Sequence, residues 1–372
     1  MSRDAAHVVI VGAGITGLLA AVRCALTGHQ VTVLDRGAVP NPGSTSYDQH
    51  RVVRSLDPDD VAATRRIAAA DRHWRELEAL LGTRFYYRVG VLTAWPAGQI
   101  DQVRAVAADA GIALAAVEPA AYPHLGFPPG SVPMVQRDAG VLLAERVLRA
   151  AARWLGRHPA VTVRPGQRVV EVDLEPVRVV LSDGATLGAD LALIAAGPWS
   201  CELVELPVVL HRQTTVYLRP PADLLPWWRR APAAGRLGVD ARGWLVPPIE
   251  GTLLKLSSAA ACRTVTAMAG GVGAGTVGAD DPEAAADMRA ANRIMTESIL
   301  TDIERYDLVK VGRCHYAIDA DAAGGRLARV GANVWARAAS GGDGFRTAPL
   351  IADRVAGLAT RSGTISSARR GV

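Results

Sequence analysis

Between Val8 and Asp35 the chain reads VVIVGAGITGLLAAVRCALTGHQVTVLD, and the residue types in it suit the holding of a dinucleotide. Gly12 permits a sharp turn out of an aliphatic run. Gly14 lets backbone approach a pyrophosphate with no Cβ in between, and Gly17 lets a helix pack close to a sheet. The helix N-terminus turns free N–H groups and the positive end of its dipole toward the phosphates. Asp35, 18 residues after Gly17, is placed to bond a ribose hydroxyl. The bare glycine pattern is weak by itself, because Gly273, Gly275 and Gly278 repeat it. That second copy follows Met268-Ala269-Gly270 rather than a buried strand, and it reads as a flexible loop without a phosphate.

The elements that must position these groups follow from the same stretch. Val8 to Val11 is a buried strand, the alanine-rich segment after Gly17 is a helix, and Val31 to Leu34 is a second strand. Further on, Pro40 to Ser46 is a polar loop, Asp59 to Leu81 a helix ending at Gly82, and Phe85 to Ala94 an alternating strand. Gln99 to Ala110 is a helix closed by Gly111, Pro119 to Pro133 belongs to no regular element, and Leu142 to Leu155 is again helical. Strands are expected at 161–164, 168–172, 177–181 and 185–187. Asp190 to Gly197 is a buried strand ending in a small-small-Gly corner. Pro207 to Leu256 reads as strands broken by prolines, 282–306 as a helix, 309–316 and 328–334 as strands, and 348–358 as an apolar helix. A polar, irregular tail begins at Arg361.

Composition sets limits on function. In 372 residues, 49% are hydrophobic and 21% charged, enough for a large core in one or two interleaved domains. A net charge of +5, with arginines scattered among acids, disfavours nucleic acid. No apolar run approaches a membrane span, and Gly12 interrupts the first one, so a soluble, cytoplasmic protein is expected. Cys24, Cys201, Cys262 and Cys314 show no metal-ligand spacing; they are expected reduced, with no metal, and the first three as buried small hydrophobes. Only two lysines, Lys255 and Lys310, stand among 41 basic residues, which raises the question whether arginine would fail at those positions.

Six motifs in register carry a resemblance over nearly the whole chain. They are the glycine turn, Gly43-Ser44 with Arg51-Val52-Val53-Arg54, and Ala195-Ala196-Gly197-Pro198-Trp199-Ser200. Three more are Leu253-Leu254-Lys255-Leu256, Gly312-Arg313-Cys314-His315-Tyr316 and Ser340-Gly341-Gly342-Asp343-Gly344-Phe345-Arg346. Together they resemble the monomeric sarcosine oxidase and N-methyltryptophan oxidase family of the D-amino-acid-oxidase superfamily.

The resemblance implies an α/β fold: a Rossmann-type FAD-binding domain (1–83, 141–210 and 315–372) and a mostly antiparallel substrate domain (84–140 and 211–314). It implies FAD bonded covalently through Cys314, with Lys255 above the flavin activating oxygen. Arg51 would be a cation beside the ring and Tyr316 a pocket tyrosine. Arg54 and Arg346 would hold the substrate carboxylate, and Trp244 falls where another pocket tyrosine is expected. The implied cofactor contacts are Gly12, Gly14, Ile15, Thr16, Gly17, Asp35, Arg36, Ser44, Arg51, Val169, Gly197, Trp199, Cys314, Gly341, Gly342, Gly344, Phe345 and Arg346.

The chemistry suits these residue types. Removing a hydride from the carbon beside an amine puts negative charge on the flavin, which nearby cations stabilise. A carboxylate matches the planar fork of arginine, and reduced oxygen matches a compact ammonium. The expected reaction is oxidation of an amino or cyclic imino acid by dioxygen to an imine and hydrogen peroxide, by a monomer in a biosynthetic setting. Other readings of the residues stay open. Arg51 and Arg54 also fit helix-entry surface charges, Arg346 a carbonyl cap or a solvent-facing charge, Lys255 a strand-edge guard, and Cys314 a buried thiol. A dehydrogenase using another acceptor, or a flavin-binding subunit without catalysis, would have the same motifs. Ala259 stands where the family carries a histidine, and Arg346 where it usually carries lysine, so sarcosine itself is not the expected substrate.

Overall fold

The computed structural model describes residues 5–266, 284–320, 327–338 and 341–370, without the side chains of 71 and 365–370. The second glycine pattern, at 273–278, and Ser340 lie outside the described residues. His7–Val11 sits inside a six-stranded sheet, between Leu191–Ile194 and Gln30–Leu34, and pairs parallel with both. Val161–Arg164 closes one edge, and Val334–Ala336 and Ala328–Arg329 close the other. The four aliphatics from Val8 are at most 5% exposed, and alternate residues serve different faces. Val8 and Ile10 pack under the helix Ile15–Leu26, whereas Val9 and Val11 pack with Val179 and Leu181 of a separate three-stranded sheet. A run of aliphatics without polar alternation is what a parallel strand covered on both sides requires.

A second, larger sheet has nine strands among the described residues. Val208–Arg219 is its spine, paired antiparallel with Leu254–Ser258, Cys262–Val265 and Asp307–Asp319. One junction, Ala233–Leu237 with Val91–Pro96, is parallel. The expected boundaries at 210 and 314 fall inside the strands Val208–Arg219 and Asp307–Asp319, which run unbroken across them. Arg51–Val53, Gly140–Leu142 and Tyr86–Tyr87 form a small three-stranded sheet.

Several expectations are corrected. The stretch 85–94 is two strands in different sheets, Tyr86–Tyr87 and Val91–Pro96, because the chain turns at Gly90, which has φ +79°. Strand Ser131–Gln136 begins inside the proline-rich connection, and Leu142 ends a strand, the helix spanning Ala144–Leu155. The stretch 328–334 is a tight hairpin joining Ala328–Arg329 to Val334–Ala336. The helix expected to reach Tyr306 stops at Thr296. The C-terminal helix runs Gly344–Arg370, through the region expected to be irregular. Its apolar face packs against Ile15–Leu26 through residues such as Val355 and Ala359, and that burial outweighs the polar composition at its end. Cys201 is exposed rather than buried. No helix among the described residues is long and apolar enough to cross a membrane.

Candidate active site

The glycine turn is built by backbone crowding. Gly12 has φ +105°, and a Cβ there would run into the Ala195 carbonyl of the neighbouring strand end. A Cβ on Gly17 would overlap the Gly12 carbonyl oxygen. Gly14 is closest to the Ser46 hydroxyl, which accepts from the Ile15 N–H at 3.0 Å. Asp35 is only 8% exposed. Its carboxylate accepts from the Ala13 N–H (2.9 Å), the Gly37 N–H (2.9 Å) and Asn41 Nδ2 (2.8 Å). It therefore ties the glycine turn to the next loop, and at most one of its roughly four acceptor positions is left for a ribose hydroxyl.

The cleft over this turn is lined by all the expected cofactor residues except Gly17, Gly341 and Arg346. Gly17 packs beneath it, and the other two border an adjoining cavity. At one end the Arg36 guanidinium lies 4.2 Å over the Trp199 ring. Further along, the Ser44 hydroxyl is buried without a hydrogen-bond partner among the described residues. Buried polar groups are normally satisfied, so an unsatisfied hydroxyl beside a backbone-lined phosphate turn fits a cofactor with hydroxyls and phosphates.

The adjoining cavity, about 600 Å³, is within the size range of small-molecule sites. Arg51, Cys314, Tyr316 and Gly342 border both spaces. Lys255, Arg54, Arg346 and Trp244 border the cavity. Lys255 is 5% exposed. Its Nζ lies 2.5 Å from Asp48 Oδ2, 5.5 Å from the Trp244 ring centre and 5.9 Å from that of Tyr217. It is thus an interior lysine, which removes the strand-edge reading.

Sequence reasoning missed Asp48. The same carboxylate also pairs with Arg51 and accepts from the Tyr217 hydroxyl at 2.8 Å. Burial by itself would raise its pKa, but the charges of Lys255 and Arg51 and the Lys255 hydrogen bond hold it far below the usual carboxylate range. Burial lowers Lys255, with Asp48 opposing. His50 was also missed. It is fully buried, its Nε2 donates to the Leu253 carbonyl at 3.1 Å, and burial, aided by Lys255 and Arg51 and opposed by Asp48, pushes its pKa down to about 4. The sequence offered only the position of Asp48 three residues before Arg51; the register that sets Tyr217 opposite Lys255 belongs to the fold.

At the far wall, Arg346 donates to the Arg54 carbonyl at 3.2 Å and pairs with Asp343. Burial and the neighbouring Arg346 lower Arg54 to about 10. The two arginines do converge, but one is already partly neutralised. Tyr316 turns its hydroxyl to Cys262 Sγ (3.2 Å), with its ring stacked on His211. Burial and that contact raise its pKa. Cys262 is therefore half-buried with polar partners, not a plain core residue. Cys314 is half-buried, and burial raises its thiol while Arg51 and Lys255 oppose. Ala259 is exposed and does not border the cavity, so the missing histidine does not by itself enlarge it.

The family described as FAD dependent oxidoreductase matches residues 7–358. Human peroxisomal sarcosine oxidase is 26% identical over 58% of this chain and 58% of its own. The monomeric sarcosine oxidase of Bacillus sp. is 22% identical over 55% of this chain and 56% of its own. The matched stretch thus spans less than two thirds of these relatives. Among solved structures, NikD, an unusual amino acid oxidase essential for nikkomycin biosynthesis, superposes with TM-score 0.75 at 20% identity, covering 96% of this chain and 94% of that one. The fructosamine oxidase of Aspergillus fumigatus (Amadoriase II) gives 0.74 at 19%, covering 96% and 87%. At these identities the superpositions establish the fold.

Proposed function

The chain belongs to the FAD-dependent oxidoreductase family, and we propose that it is an oxidase of a carboxylate-bearing amino or cyclic imino acid, yielding an imine and hydrogen peroxide. The observation that carries this reading is the wall shared by cleft and cavity. Arg51 and Cys314 border both, and the buried Lys255 ammonium stands beside them against Asp48. We assign the six-stranded-sheet region to the cofactor and the nine-stranded sheet to the substrate. Gly12, Gly14, Ser44 and Arg36 would hold FAD, with Cys314 its covalent anchor, and FAD when bound supplies two-electron oxidation beside nitrogen.

The chain's own residues do the rest. Arg54 and Arg346 hold the carboxylate and so orient the carbon to be oxidised. Arg51 keeps a positive charge at the shared wall, where negative charge develops. Lys255 presents a compact, water-shielded ammonium for the reduction of dioxygen. Trp244 offers a flat apolar wall, favouring a cyclic or aromatic substrate.

The test is an anaerobic screen of the purified protein against secondary amino acids, cyclic imino acids and tryptophan-like amines, followed by admission of air. Bleaching of the flavin absorbance by an acid and not by its decarboxylated amine, then peroxide in proportion, is the expected result. Bleaching without peroxide would make the protein a dehydrogenase, and no bleaching by any amine would overturn the reading.

A further inference from the structure

Arg337 follows the edge-side strand Val334–Ala336 and belongs to none of the motifs that carry the cofactor expectation. Its backbone N–H donates to the Ile194 carbonyl at 2.8 Å, so its Cα sits at the carboxyl end of the parallel sheet, level with the Gly12 turn. Ligands of open parallel sheets bind outside that edge. The side chain is 3% exposed and borders the dinucleotide cleft. Nη2 donates to Thr347 Oγ1 at 2.7 Å, in the first turns of the C-terminal helix, whereas Nε and Nη1 are buried with no hydrogen-bond partner among the described residues.

A guanidinium carries five donors and stays protonated, so burial without an acceptor is unfavourable unless a ligand completes the site. Burial lowers it to about 10, against the opposing charges of Asp343 and Asp319. The strand order places one strand, Leu191–Ile194, between Arg337 and the Gly12 strand, a separation of about 10 Å. Arg337 and the Gly12 turn border the same cleft.

We propose that Arg337 is a further cofactor-binding residue, the N–H groups of its unpartnered Nε and Nη1 donating to oxygens in the pyrophosphate–ribityl stretch of FAD. The unpartnered Ser44 hydroxyl in the same cleft is a second acceptor-or-donor group awaiting the same ligand region. The inference rests on FAD dependence and not on the identity of the oxidised substrate, and its readouts are binding and stability.

The experiment uses the full chain with Cys314→Ala, so that FAD can be removed and titrated back by fluorescence, with ADP titrated separately. Arg337→Met should weaken FAD by roughly 10- to 100-fold, the loss expected of one or two charge-assisted hydrogen bonds. The melting temperature of the FAD-free protein should hold or rise, because a buried unpaired charge has been removed. Arg337→Lys, which keeps the charge and loses the fork, should fall between. ADP weakened in parallel identifies the phosphates as the acceptors; ADP unchanged with FAD weakened identifies the ribityl oxygens. Either carries the proposal. Unchanged FAD affinity overturns it. So does a fall in the FAD-free melting temperature of both variants that accounts for the lost affinity, since that marks a structural arginine.

Discussion

In the dinucleotide cleft the decisive contacts are between backbone atoms: Gly12 against Ala195, and Gly17 against Gly12. In the adjoining cavity they are made by charged side chains from distant parts of the chain: Asp48 with Lys255, 207 residues away, and Arg346 with the backbone carbonyl of Arg54, 292 away. The first kind tolerates no side chain. The second tolerates changes of shape but not of charge, because Asp48 and the two cations on it, Lys255 and Arg51, favour one another's ionised forms. A backbone-built site should therefore fail by losing the fold, and a charge-built site by losing one chemical step while the fold persists.

The sharpest way to break that contrast is Gly17→Val. Its Cβ would overlap the Gly12 carbonyl, so helix and turn must separate. A loss of several kcal/mol is expected, read as insoluble protein or a melting temperature lowered by ten degrees or more with no FAD retained. A folded, flavin-loaded Gly17→Val protein would show that the turn is less crowded than its geometry requires.

On the other side, Lys255→Met should leave FAD bound and anaerobic bleaching by substrate nearly unchanged. Reoxidation in air should slow by about 10²-fold or more, the size found when one preorganised charge is removed. Stopped-flow measurement of the two half-reactions separates these outcomes. Slowing confined to reduction would move Lys255 from oxygen to substrate. In the same region Cys314→Ala should release the yellow colour into the supernatant on acid precipitation, whereas wild type keeps it in the pellet. Colour washing out of the wild type removes the covalent anchor and leaves FAD binding intact.

The contrast also explains what could be read in advance. The strand–turn–helix–strand unit was legible because its constraints are local and glycine is the residue that meets them. Arg54 and Arg346 were foreseen as a convergent pair, but only through resemblance, since 292 residues separate them. Asp48, Tyr217 and His50 gave no comparable signal. One acid in a polar loop acquires meaning only when the register of Val208–Arg219 on Leu254–Ser258 sets Tyr217 beside Lys255 above it. Asp35 illustrates the opposite case: its position was legible, but three internal donors already occupy most of its carboxylate.

A smaller effect tests the arginine pair. Each charge-assisted contact is worth about 1.5–3 kcal/mol, so Arg54→Ala or Arg346→Ala should weaken simple carboxylates by one to two orders of magnitude, followed through the flavin spectrum. Asp343 draws on the same guanidinium of Arg346. Asp343→Asn should therefore tighten carboxylates up to about tenfold. If neither alanine variant weakens them, the cavity does not hold a carboxylate there and the substrate class reopens.

The smallest effect belongs to His50, whose charge state depends on the whole cluster. It is buried beside Lys255 and Arg51, with Asp48 opposing, and its pKa falls from 6.5 to about 4. Above pH 6.5 the ring is neutral in both the folded and unfolded chain and adds no pH dependence. Between about 6.5 and 4 the unfolded chain takes up a proton that the folded chain refuses, so stability falls as pH falls. The slope is about 1.4 kcal/mol per pH unit within that window, with a total near 3 kcal/mol. His50→Gln, whose amide can still donate to the Leu253 carbonyl, should remove that slope and leave stability at pH 7.5 within about 1 kcal/mol of wild type. Denaturant titrations of both proteins from pH 7.5 to 4.5 make the comparison. Parallel curves would mean that His50 protonates readily inside the fold despite its burial.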